Sequence, residues 1–225
     1  MNNKITNFYE QIPKEKQKED KYFKNHYILP KSRICLIGGS GAGKTQWLLN
    51  FLERVGARFH TIIIYTTDIE EPLLLLLKSK IPDVFITNNI KEIPNLSHFE
   101  EDKDKEKLIV FDDFITLNSK DIKILDEYAI AGRKFGFTTI YMVQNYRQLD
   151  KTIARNINYF ILFKLNDNST IGNIIRNHNI DNIPTDFFKR VYHQSTKEKF
   201  NFLLLDLLGD KTTRLRHNFL GFFKI

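Results

Sequence analysis

The run Ile34-Cys35-Leu36-Ile37-Gly38-Gly39-Ser40-Gly41-Ala42-Gly43-Lys44-Thr45 decides the fold. Four apolar residues in a row mark a strand buried on both faces. The glycines that follow let backbone N–H groups turn inward around phosphates. They lead into an amphipathic helix over Gly43 to Val55, with Trp47, Leu48, Phe51 and Leu52 on one side. A strand, a G-x-x-x-x-G-K-[ST] loop and a helix in that order form a P-loop. The helix N-terminus adds partial positive charge. Gly38, Gly39, Ser40, Gly41, Ala42, Gly43, Lys44, Thr45 and Gln46 are therefore the candidate cofactor-binding residues. Lys44 is placed for the β- and γ-phosphates of ATP, and the Thr45 hydroxyl for Mg²⁺.

A second motif, Leu108-Ile109-Val110-Phe111-Asp112-Asp113, has four apolar residues followed by acids, the Walker B pattern. Asp112 would emerge at the C-terminal end of its strand, where open α/β sheets bind ligands. It is the second candidate metal ligand, with Thr45. Asp113 is the candidate base that orients the attacking water. A third strand, Phe137 to Val143, ends on Gln144. If it lies between the two motif strands, the Gln144 amide points at the γ-phosphate. An amide both donates and accepts, so it can sense whether that phosphate is present. Asn145 is a weaker alternative.

Outward from these motifs the chain alternates strands and helices. Strands are expected at His60 to Thr66, Asp83 to Thr87 and Tyr159 to Leu165. Helices are expected at Pro72 to Ser79, Ser119 to Arg133 with Ser119 as N-cap, Gln148 to Arg155, Asn168 to Asn177 and Pro184 to Tyr192. Phe200 to Leu207, a Gly209-Asp210 turn and Thr213 to Phe219 read as a hairpin. The fold class is α/β: a mainly parallel central sheet flanked by helices, with a C-terminal β-hairpin. Between Thr45 and Leu108 there is room for a helix, a strand and another helix. That spacing resembles ATPases with an additional strand between the P-loop and Walker B strands. Residues 1–27, centred on the mixed-charge run Lys14 to Lys21, read as a charged arm, and residues 28–225 as one ATPase domain.

The chain has 225 residues, a net charge of +7 and a pI near 9.3. A basic excess suits an anionic partner such as nucleic acid. The single cysteine, Cys35, excludes an intrachain disulfide and reads as a buried strand residue. Residues 1–25 are too polar for a signal peptide, and the aliphatic run Leu73 to Leu77 is too short to span a bilayer. The six histidines lack paired ligand spacing, so no zinc site is expected.

The three motifs, with Ala131-Gly132-Arg133-Lys134 and Ile153-Ala154-Arg155-Asn156-Ile157-Asn158-Tyr159-Phe160, resemble the FtsK–HerA class of DNA-pumping ATPases. The nearer resemblance is to the genome-packaging ATPases of large double-stranded DNA viruses and virophages, over roughly residues 30 to 165. It implies ATP hydrolysis with Mg²⁺ and a homo-oligomeric ring, pentamer or hexamer, around double-stranded DNA. A capsid vertex protein is a further implied partner, and the location virion-associated or the host cytoplasm. Such rings complete each site with an arginine from the neighbour. Arg133 is the first candidate, Arg155 the second and Arg147 the third. Many members carry Glu after the Walker B Asp, whereas here Asp113 is one methylene shorter. A motor must grip phosphates, not bases. The excursion Asn88 to Lys107 and the segment Lys211, Arg214, Arg216 are the candidate DNA contacts. The competing readings are a nucleotide-gated DNA-binding or capsid-docking protein with little turnover, and a small P-loop kinase.

Overall fold

The apolar runs assemble as strands buried on both faces, because helices cover both sides of one sheet. A computed structural model describes residues 21–167, 169–178, 180 and 183–224. Its strands are β1 (Arg33–Ile37), β2 (Thr61–Tyr65), β3 (Phe85–Thr87), β4 (Lys107–Asp112), β5 (Phe137–Val143), β6 (Tyr159–Leu162), β7 (Leu203–Asp206), β8 (Leu215–His217) and β9 (Gly221–Phe222). They form one sheet in the order β3-β2-β4-β5-β1-β6-β7-β8-β9. The first six are parallel to one another. The expected hairpin, β7 with β8, extends the same sheet antiparallel from β6, and β9 adds a further edge.

The helices are α1 (Lys44–Val55), α2 (Pro72–Lys80), α3 (Ser119–Ala131), α4 (Lys151–Asn156), α5 (Ser169–Asn177) and α6 (Thr185–Ser195). Alternation along each strand divides the core. Ile34 and Leu36 pack with Trp47, Phe51 and Leu77 under α1 and α2. Cys35 and Ile37 face the other way, with Leu125, Tyr128 and Ile153 under α3 and α4. Cys35 is fully buried, as expected of a strand residue, and burial pushes its thiol well above the usual range.

Several boundaries moved for local reasons. The N-cap of α3 is Asn118, whose side chain accepts from the N–H of Lys120 and Asp121, so Ser119 is the first helical residue. The expected helix Gln148 to Arg155 splits into a tight turn (Tyr146–Gln148) and α4, because Asp150 caps Thr152 and restarts the helix. Residue 168, the expected start of α5, lies outside the described residues. So do residues 1–20 of the charged arm. The next residues fold onto the domain: His26 is buried with its ring 5.6 Å from that of Phe51.

The excursion over 88–107 is not an open loop. It forms two short 3-10 turns (Ile90–Glu92 and Leu96–Phe99) that bury Ile90, Ile93 and Leu96 in the α3 side of the core. Among the described residues no helix is long and apolar enough to cross a membrane.

Candidate nucleotide site

The strand order sets the site. β5 lies between β1 and β4, so Gln144 leaves the sheet between the phosphate loop and the Walker B acids. The Gly38 N–H donates to the Val143 carbonyl at 3.1 Å, which fixes the loop's start beside the strand that carries Gln144. The Gln144 backbone N–H is held in turn by Gln148 Oε1 at 2.9 Å. Asn145, the alternative sensor, is committed elsewhere. Its side chain accepts from the Arg147 N–H and donates to Asp167.

Lys44, Thr45, Asp112, Asp113 and Gln144 line one cavity of about 390 Å³. Gly43 adopts φ +110, a left-handed value that glycine takes readily, immediately before α1. The Lys44 ammonium donates to the carbonyls of Gly38 and Gly39 at 2.8 and 3.2 Å. Burial lowers its pKa, while Asp112, Asp113 and Glu71 pull it back up. Asp112 is largely enclosed, and desolvation pushes its carboxyl up to about 6 against the pull of Lys44. The Thr66 hydroxyl approaches it at a long 3.5 Å. Asp113 adopts φ +48 and ψ +52, uncommon for a residue with a side chain, and this turns it out of the strand repeat. The Thr67 hydroxyl lies 3.4 Å from its carboxylate.

Sequence reasoning missed Glu71. It is the N-cap residue of α2, but its carboxylate makes no cap bond and lines the same cavity as Thr45. Burial raises its pKa. The only hint was an acid beside Pro72; nothing in the sequence joined it to Thr45. Phe200 was missed as well, and it lines the same cavity.

Four acids, Asp68, Glu71, Asp112 and Asp113, thus face one ammonium in this cavity. Burial of Asp112 and Glu71 is unfavourable without a cation, and Thr45 with Asp112 offers hard oxygen donors. Mg²⁺ binds through one or two carboxylates plus substrate phosphates, so the donor set fits it.

The candidate arginines lie elsewhere. Arg133 is exposed in a 3-10 turn (Gly132–Phe135) just before β5, at the edge of the sheet opposite Gln144. The seven residues of β5 put roughly 20 Å between that edge and Gln144. Arg155, exposed on α4 just before β6, shares the edge. Arg33 joins them: it donates to the Asn156 carbonyl and feels the charge of Arg133. Neither candidate serves its own phosphate loop. Arg147 is exposed in the turn that follows Gln144.

Two candidate DNA contacts are corrected. Arg216 is 0% exposed, paired to Asp206 at 3.3 Å and bonded to the His26 carbonyl at 2.9 Å. Lys107, the last residue of the excursion, is also 0% exposed and donates to three backbone carbonyls, those of Asp102, Lys105 and Phe135. Neither can touch DNA. The exposed Lys103 and Lys105 pair with Glu100 and Asp102 of the same excursion. Arg214 donates to the Gly209 carbonyl, and Lys211 remains exposed.

The sequence model of the family described as "Poxvirus A32 protein" matches residues 19–192. No curated protein sequence matches. Among solved structures, the genome packaging NTPase B204 of Sulfolobus turreted icosahedral virus 2, in complex with ATP-gammaS, superposes with a TM-score of 0.56 at 12% identity. That match covers 85% of this chain and 98% of B204. EssC (ATPases 2 and 3) of Geobacillus thermodenitrificans gives a TM-score of 0.55 at 15% identity, covering 85% of this chain and 40% of that one. The cytoplasmic domain of the type VII secretion ATPase EccC of Thermomonospora curvata gives 0.56 at 13%, covering 80% and 25%. At these identities the likeness is one of fold: a P-loop NTPase sheet.

Proposed function

The chain belongs to the poxvirus A32 protein family, and on that premise we propose that it is an ATP-hydrolysing motor that drives double-stranded DNA, a viral genome, into a capsid. One observation carries the reading. Gln144 stands at the tip of the strand between β1 and β4, in one cavity with Lys44, Thr45, Asp112 and Asp113. That is the arrangement of a site that gives ATP to water and registers the loss of the γ-phosphate. B204, with the same fold, is named a genome packaging NTPase.

Each residue has a defined task. The N–H groups from Gly39 to Gln46 cradle the phosphates, and Lys44 leaves the Gly38 and Gly39 carbonyls to meet the β- and γ-phosphates. Thr45 and Asp112 would hold Mg²⁺, which when bound neutralises charge on the β- and γ-oxygens. Asp113 accepts a proton from water and aligns it. Its left-handed backbone takes it out of the strand repeat, and its carboxylate lines the same cavity as Lys44. Gln144 donates to the γ-phosphate and accepts from the same water. The exposed edge with Arg133 and Arg155 serves a neighbouring copy in a ring of five or six, since neither residue reaches its own site. DNA threads that ring, held by its phosphates, and Lys211 is the exposed member of the C-terminal basic segment that remains to touch it.

The test is ATP hydrolysis by the purified chain with and without linear duplex, across a range of salt. Duplex should raise turnover, more at low salt than at high. Lys44→Ala and Asp113→Asn should abolish it. Turnover indifferent to duplex at every salt concentration would refute the motor. Phosphate passed to a nucleoside, not to water, would make the chain a kinase.

A further inference from the structure

We propose that Phe200 and the trench beside it form the nucleobase subsite, taking the purine ring of the nucleotide by stacking. The proposal rests on the reading of the phosphate loop as a nucleotide site.

Two cavities flank that loop. The first, of about 390 Å³, holds Lys44, the acids and Gln144. The second, of about 370 Å³, lies on the β6 side and is lined by Lys164, Asn166, Lys199 and Asn201 among others. Ser40, Gly41 and Phe200 line both, so the two cavities are one trench across the loop. Its acid end fixes the γ-phosphate, because Asp112, Asp113 and Gln144 stand there. A triphosphate anchored at that end carries its nucleoside across the loop toward β6, past Phe200.

Phe200 is built unlike the core aromatics. It is 48% exposed, and its backbone has φ +70, a region that costs a bulky residue strain. The strain sets the ring against the loop: a Cβ added at Gly43 would lie 2.8 Å from a Phe200 ring carbon and 3.5 Å from its Cα. Gly43 is therefore needed twice, for its own φ and for the closeness of this ring. The exposed ammonium of Lys199 lies 4.8 Å from the ring centroid. It covers the ring from the solvent side and yields that place to an aromatic ligand. Asn166 is exposed nearby, with an amide to donate to or accept from a base edge. Stacking is tolerant of base identity, because every base has a π face. The subsite therefore favours purine over no base far more than it separates ATP from GTP.

The test compares two ligands by calorimetry, each with Mg²⁺: ATP, and inorganic tripolyphosphate, which has the phosphates and no base. The native chain should bind ATP more tightly than tripolyphosphate. Phe200→Ala should weaken ATP on the order of tenfold and leave tripolyphosphate unchanged, while Phe200→Tyr restores ATP. Equal weakening of both ligands would make the ring a prop for the loop and overturn the proposal, as would no weakening of ATP. Failure of the underlying reading looks different: the native chain would bind neither ligand, or Lys44→Ala would bind tripolyphosphate as well as the native chain does.

Discussion

Replacing Arg216 with Ala should unfold this protein more readily without removing a DNA contact. The guanidinium is fully buried between Asp206 and the His26 carbonyl, 5.7 Å from the Phe222 ring. Breaking a buried ion pair costs about 3–5 kcal/mol, because the partner charge is left behind. Here the cost belongs at the lower end. Asp206 keeps the N–H groups of Leu208 and Gly209 at 2.9 Å each, and the Arg216 Nε has no partner among the described residues. About 3 kcal/mol is a large share of a typical domain's 5–15. Urea unfolding followed by tryptophan fluorescence should show it as a fall in midpoint at unchanged slope. Acid should shrink the defect. Burial already raises the Asp206 pKa, with Arg216 holding it down. Without Arg216 the folded carboxyl sits further above its unfolded value, so the variant gains stability as pH falls through that range. A stability within about 0.5 kcal/mol of native for Arg216→Ala, the scale of an ordinary surface change, would refute the reasoning.

Three further outcomes are expected. The Asp112 carboxyl, raised by burial to about 6, binds its proton more tightly folded than unfolded, so its contribution to the stability of the nucleotide-free protein grows as pH falls from about 7 to about 5, and the native chain should gain on Asp112→Asn over that range. Asp112→Asn should raise the nucleotide-free melting point at neutral pH, by at most about 3 kcal/mol of stability, while losing Mg²⁺-dependent nucleotide binding; an unmoved melting point would refute the burial cost. Gly136→Ala should lose at least about 2 kcal/mol by chemical denaturation, since φ is +85 and the new Cβ would lie 2.2 Å from the Lys105 carbonyl; a neutral substitution would contradict the packing of that turn. Arg133→Ala subunits should bind ATP yet fail to hydrolyse it, and mixing them with Asp113→Asn subunits should restore part of the turnover; intact mixed rings without rescue would move the trans role to another residue.

Much of this fold was legible because a buried parallel strand leaves an unbroken apolar run. Ile34 to Ile37, Leu108 to Phe111 and Phe137 to Val143 each became a core strand within a residue of its expected bounds. The phosphate loop was legible because few other structures need that glycine spacing. The position of Gln144 depended on strand order, and the order β4-β5-β1 met the condition set for it. Burial of charge was not legible. Lys107 is satisfied by carbonyls of residues 102, 105 and 135, and Arg216 is held through its two terminal nitrogens by residues 26 and 206, partners that only the folded chain brings together. Ile90, Ile93 and Leu96 stand alone in polar surroundings, so no period announced that they would bury. Ser119 and Asn118 are both good caps, and local backbone geometry chose between them. Glu71 and Phe200 reach the site from β2–α2 and α6–β7 connections, far from either motif in sequence.

The most direct measurement of the motor itself is displacement of a third strand bound to linear duplex. With ATP and Mg²⁺, the native chain should strip that strand from a site far from the duplex end, as a motor moving along the duplex does. Displacement that proceeds equally without ATP, or with Asp113→Asn, or none despite duplex-stimulated hydrolysis, would contradict translocation.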